Sequence, residues 1–156
     1  MSIKKKQASR PKKVDTDIIR FQNNKEKWIG LVGLKNNEPF EIYAGNADDF
    51  WLPTWVKGGW IIKEKVANNN LRYDFQFEDR QGYKITIEGL SRSFDREYRN
   101  YSKIVSGLLQ EGVSPKTLCN FLDNVSFDPS SVDALRKGLM KVLTYYIPEE
   151  ELLSLK

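Results

Sequence analysis

"TIEGLSRSFDREYRNYSKIVSGLLQEG", residues 86–112, begins as a strand, breaks at Gly89 and continues as a helix. Beyond Asp95 the apolar residues Tyr98, Tyr101, Ile104, Val105, Leu108 and Leu109 recur at spacings of three and four. That period predicts a helix with one buried stripe, whereas the strand before it follows a period of two. Ser93 or Asp95 is placed to cap the helix, Glu97 suits its first turn, and Gly112 suits its C-terminal end. Between the apolar residues lie Ser102, Ser106 and Gly107, small enough to let another backbone approach closely, the neighbouring helix being one candidate. The stripe is expected to cover a sheet.

Upstream, the chain reads as strands. "DIIRFQ" and "EKWIGLVGL" flank the turn residues Asn23, Asn24 and Lys25, "PFEIYAG" follows the turn "KNNE", and "GGWIIKEKV" offers a further strand. The clearest hairpin is "LRYDFQFEDRQGYKITIEG", in which Leu71, Tyr73, Phe75 and Phe77 alternate with polar residues. Tyr83, Ile85 and Ile87 carry the apolar face on after a turn at residues 79–82. Short alternating runs separated by Asn and Gly clusters predict an antiparallel meander. Downstream, Ser114-Pro115 opens a second helix with the stripe Leu118, Phe121, Leu122 and Val125. Asp128-Pro129 opens a third, using Val132, Leu135, Leu139, Val142, Leu143 and Tyr146, and Pro148 ends it. Strands first and helices afterwards predict an α+β fold: a β-meander of about five or six strands covered on one face by three C-terminal helices.

The 156 residues suit one domain with its own core, expected over residues 15–147, with a short tail at 148–156. The net charge of +4 is unevenly spread. Lys4, Lys5, Lys6, Arg10, Lys12 and Lys13 precede the first acid, Asp15, leaving 19 basic against 21 acidic residues in the rest. Residues 1–14 therefore read as a flexible basic arm, which either solubilises the chain or grips nucleic acid non-specifically through phosphate. No apolar run approaches the roughly 20 residues of a membrane span, and no membrane partner is expected. A lone cysteine, Cys119, forms no internal disulfide and fits a reducing cytoplasm.

The chain contains no histidine, which removes the residue best suited to proton transfer near neutral pH and the commonest metal ligand. No Ser-His-Asp or Cys-His nucleophile can be assembled, and no Gly-rich phosphate loop occurs. Cys119 has no second thiol for zinc or redox exchange and reads as a packing residue. Asp48, Asp49 and Glu88 remain as acids that could hold Mg²⁺, but without diagnostic spacing. The chain is expected to be no enzyme, with no catalytic residue, no metal and no cofactor. Trp51, Trp55 and Trp60 crowd into "FWLPTWVKGGW". Such indoles either plug the end of a sheet or anchor a partner.

Three stretches together, "DIIRFQNNKEKWIGLVGL", "RYDFQFEDRQGYKITIEGLS" and "YRNYSKIVSGLLQEGVSP", resemble the C-terminal, TSCPD-type domain of adenosylcobalamin-dependent ribonucleotide reductases. The likeness runs from about Arg10 to Tyr146 and includes Gly82-Tyr83-Lys84, Asn100-Tyr101 and Ser106-Gly107. The cysteine-containing signature of that domain is missing here, as are the catalytic barrel and the cysteine tail of the whole enzyme. The resemblance implies a non-catalytic module acting as a separate protein. It would bind a reductase catalytic subunit or copies of itself through a sheet edge and the Trp51, Trp55 and Trp60 cluster. It also directs attention to Glu88, Gly89, Asn100 and Ser106, near the strand-to-helix switch. The alternative is a repurposed binding protein, phage-encoded and found in the virion or the infected host cytoplasm. Such a protein would take nucleic acid, a nucleotide-like ligand or a virion component.

Overall fold

The computed structural model describes residues 10–152. Six strands form one open antiparallel sheet: β1 (Lys13–Asn23), β2 (Glu26–Lys35), β3 (Glu38–Asn46), β4 (Gly58–Lys65), β5 (Leu71–Glu78) and β6 (Lys84–Ile87). Their spatial order is β3-β2-β1-β4-β5-β6. The sheet is thus two three-stranded meanders joined where β4 pairs with β1, Asp15 opposite Trp60. Helices α1 (Arg96–Gln110), α2 (Pro115–Asp123) and α3 (Ser130–Thr144) follow, so the α+β class holds. A one-turn helix, α4 (Glu149–Leu152), lies in the expected tail, and its Leu152 packs on the helical core. Among the described residues no helix is long and apolar enough to cross a membrane.

Local chemistry sets these elements. Asp79 Oδ1 accepts from the N–H groups of Gln81 and Tyr83, both at 2.9 Å, and closes the β5–β6 turn. Asp95 caps α1 by accepting from Glu97 N–H at 3.1 Å. Ser114 caps α2 by accepting from Thr117 N–H, with Pro115 in the first turn. Hydrophobic alternation sends residues to both faces of β1 and β2, so the core is double. On one face Ile19, Trp28, Val32 and Ile42 meet Leu135, Leu139 and Val142 of α3. A Cβ on Gly30 would lie 2.6 Å from Val142 Cγ2, so α3 approaches β2 as closely as it does only because that position has no side chain. On the other face Ile18, Ile29, Ile61 and Phe75 are covered by Phe50, Leu52 and Val56 from the β3–β4 connection and by Leu90 and Phe94.

Two sequence expectations change. The buried residues of α1 are Ser102, Val105, Ser106 and Leu109, while Ile104 is 58% and Leu108 38% exposed. The helix is rotated because it runs along the free edge of β3. Ser106 Oγ accepts from Ile42 N–H at 2.9 Å and donates to Ile42 C=O at 3.2 Å, and Gln110 Nε2 donates to Phe40 C=O. The backbone that the small residues admit is therefore a strand, not a helix. Side-chain hydrogen bonds replace a seventh strand at this edge. Of the basic arm expected over residues 1–14, the described residues 10–14 belong to the fold. Strand β1 starts at Lys13, and Arg10 is fixed by a bidentate pair with Glu41 at 2.8 and 2.7 Å, both side chains under a tenth exposed. Lys4, Lys5 and Lys6 lie outside the described residues.

Candidate functional site

Between the outer side of α1 and the strands β3 and β5 lies a cavity of about 620 Å³. Its strand side presents Glu41, Tyr43, Leu71 and Tyr73; its helix side presents Arg96, Arg99, Asn100, Lys103, Ser106, Gly107 and Gln110. Among the described residues Glu41 is the single acid in this lining, and both its oxygens accept from Arg10. The Arg10 guanidinium also lies over the Tyr73 ring, 5.2 Å from its centroid. Burial, and next the Glu41 charge, push the phenols of Tyr43 and Tyr73 up, so both remain hydroxyl donors at neutral pH.

Arg96, Arg99 and Lys103 form no ion pair among the described residues. Arg99 Nε is one of two buried side-chain nitrogens there without a hydrogen-bond partner, the other being Trp28 Nε1. Three cations at spacings of three and four repel one another along a helix. Arg96 also stands in the first turn, where the macrodipole favours acids. The arrangement opposes helix stability twice over, and a bound anion would relieve both penalties. Departures of this kind from local rules concentrate at functional sites.

Of the residues singled out from sequence, Asn100 and Ser106 line this cleft. Ser106 has its hydroxyl engaged with Ile42. Glu88 and Gly89 belong to a structural corner next to β5. Gly89 has φ +71° and donates its N–H to Asp74 Oδ1 at 2.9 Å. Asp74 accepts twice from Arg72, whose guanidinium lies 3.7 Å from Glu88. Burial pushes Asp74 up, but the Arg72 and Gly89 hydrogen bonds together outweigh it and hold the carboxyl below its usual range.

The three tryptophans are dispersed. Trp51 is 73% exposed on the β3–β4 connection. Trp55 packs edge-on against Phe77 under Arg80. Trp60 points away from the side on which Ile61 is buried and lies beneath Lys13 and Lys84, at 4.3 and 5.3 Å. Lys12 stands exposed, 3.5 Å from Glu64. Asp48 and Asp49 line a shallow depression with Glu26 and Asp95, and among the described residues no three acids or cysteines converge as a metal-ligand set.

Sequence reasoning missed Arg96, Arg99 and Lys103, although their helical spacing was a usable signal. Nothing local pointed to Tyr43, Tyr73 or the Arg10–Glu41 pair. A search of curated proteins gave no match, and neither did a search of solved structures. A family model described as NrdJ homologue C-terminal domain matches residues 14–148, from the first strand to the end of the helical layer. The chain therefore belongs to the NrdJ homologue C-terminal domain family, the ribonucleotide reductase C-terminal type that its motifs resemble.

Proposed function

We propose that the chain is a non-catalytic binding module of this reductase-related family and that the cleft beside α1 takes a small, nucleotide-like anion. The carrying observation is the set of three cations, Arg96, Arg99 and Lys103, without an ion pair among the described residues and facing a concave wall whose described acid, Glu41, is already paired with Arg10. A chain without histidine and with one buried thiol supports recognition over turnover, and that reduced thiol suits the cytoplasm. At constant ionic strength, added phosphate should raise the melting temperature of the native chain more than that of a Arg99→Gln, Lys103→Gln double variant. Equal shifts would remove the cleft as the site.

A second reading is contact with a reductase catalytic subunit or with another copy of the chain. It is favoured by Trp51, an indole 73% exposed on a connection that otherwise buries Phe50, Leu52 and Val56. Trp51→Ser should weaken co-purification with a reductase or lower the sedimentation coefficient. If neither property changes, Trp51 anchors no such contact.

A further inference from the structure

Resting on the anion reading above, we propose that the cleft is an oligophosphate site, taking the linear di- or triphosphate group of a small molecule laid along α1. Arg96, Arg99 and Lys103 stand at positions i, i+3 and i+7 of one helix. With a rise of about 1.5 Å per residue, the outer two are roughly 10 Å apart along the axis. One tetrahedral anion is too short to engage both ends of that row, whereas consecutive phosphates match it in length and in charge. Arg99 provides the forked donor suited to phosphate oxygens, and its Nε is buried without a protein acceptor. Lys103 supplies a point charge further along. The opposite wall offers Tyr73, and among the described residues no free carboxylate faces the row because Arg10 holds Glu41. The cleft is open on its outer side, and its volume of about 620 Å³ is in the range of a small-molecule site, which favours a compact ligand over a polymer.

Isothermal titration calorimetry on the full chain, at one fixed ionic strength, tests this with orthophosphate, pyrophosphate, inorganic triphosphate, a nucleoside triphosphate and a single-stranded oligonucleotide. Inorganic triphosphate should bind at least about tenfold more tightly than orthophosphate, with pyrophosphate between them. Arg99→Gln and Lys103→Gln should each weaken triphosphate by about tenfold. Lys103 is exposed, so its variant keeps the test valid if loss of Arg99 disturbs folding. A nucleoside triphosphate that outbinds inorganic triphosphate, with the gain lost in Tyr73→Ala, supports the site and identifies its source as a nucleotide. Equal affinities support it with inorganic polyphosphate as the source. Orthophosphate binding as tightly as triphosphate would overturn the inference while leaving the anion reading in place. Absence of binding by every anion would overturn both. An oligonucleotide that outbinds inorganic triphosphate would overturn it in favour of strand binding.

Discussion

Replacing Ser106 by alanine isolates the contact that lets α1 close the sheet. Ile42 is fully buried, and in the native chain its outward N–H and C=O both meet the Ser106 hydroxyl, at 2.9 and 3.2 Å. Alanine leaves the packing volume nearly unchanged but removes the partner of two backbone groups that water cannot reach. An orphaned buried polar group costs about 1–3 kcal/mol. Slight relaxation, with the Gln110 bond to Phe40 intact, places the expected loss near the middle of that range, at about 2 kcal/mol. For a domain of this size that lowers the melting temperature by about 6–8 °C. Urea titration followed by circular dichroism measures the loss, and native-state hydrogen exchange reads the Ile42 amide directly. The amide should exchange much faster in Ser106→Ala while the amides of β1 keep their protection. A change below about 0.5 kcal/mol, with Ile42 still protected, would refute the edge-closing role.

Other consequences follow from the same geometry. Glu41→Gln leaves the Arg10 guanidinium buried without a countercharge, so it should destabilise the chain by about 3 kcal/mol, measured by urea unfolding. The Arg136 hydrogen bonds, with the Phe127 N–H, hold Asp133 at about 2. Its contribution is therefore complete above the unfolded value of about 4 and fades as the pH falls towards 2. Accordingly Asp133→Asn should melt lower than the native chain at pH 6, with the gap closing by pH 2. Burial pushes the Cys119 thiol up to about 11, so a thiol reagent at pH 8 should modify it only as fast as the chain opens, and rapidly in urea.

Period and turn chemistry made the elements legible, because both act within a few residues. The alternation of Tyr73, Phe75 and Phe77 located β5, and Ser114-Pro115 located the start of α2. The junction of the two meanders was hidden, since pairing β1 with β4 joins segments more than 40 residues apart and leaves no local mark. The stripe on α1 misled for a physical reason. Hydrophobicity placed Ile104 and Leu108 inward, but an unpaired strand edge needs hydroxyl and amide groups more than it needs methyls, and Ser106 and Gln110 took those places. Tyr83 and Ile85 likewise follow the period of a buried face yet are 71% and 41% exposed, because β6 is the outermost strand of the sheet.

The cleft was half visible. The spacing of Arg96, Arg99 and Lys103 can be read from the sequence, but a charged helix stripe is ordinarily a solvated face. Only the curvature that brings β3 and β5 opposite α1 turns that stripe into one wall of a cavity. Arg10 shows the same limit from the other side. In the sequence it belongs to a run of basic residues, and in the fold its charge is spent on Glu41.

The most direct test is nuclear magnetic resonance of the side-chain Nε–H of Arg99 during titration with inorganic triphosphate. That N–H, buried and unpartnered in the free protein, should shift strongly and exchange more slowly with water as the anion arrives, together with the Arg96 and Lys103 amides. An Arg99 signal that stays in place while Lys13 or Lys84 responds would contradict the account, because anion binding would then belong to the Trp60 face of the sheet.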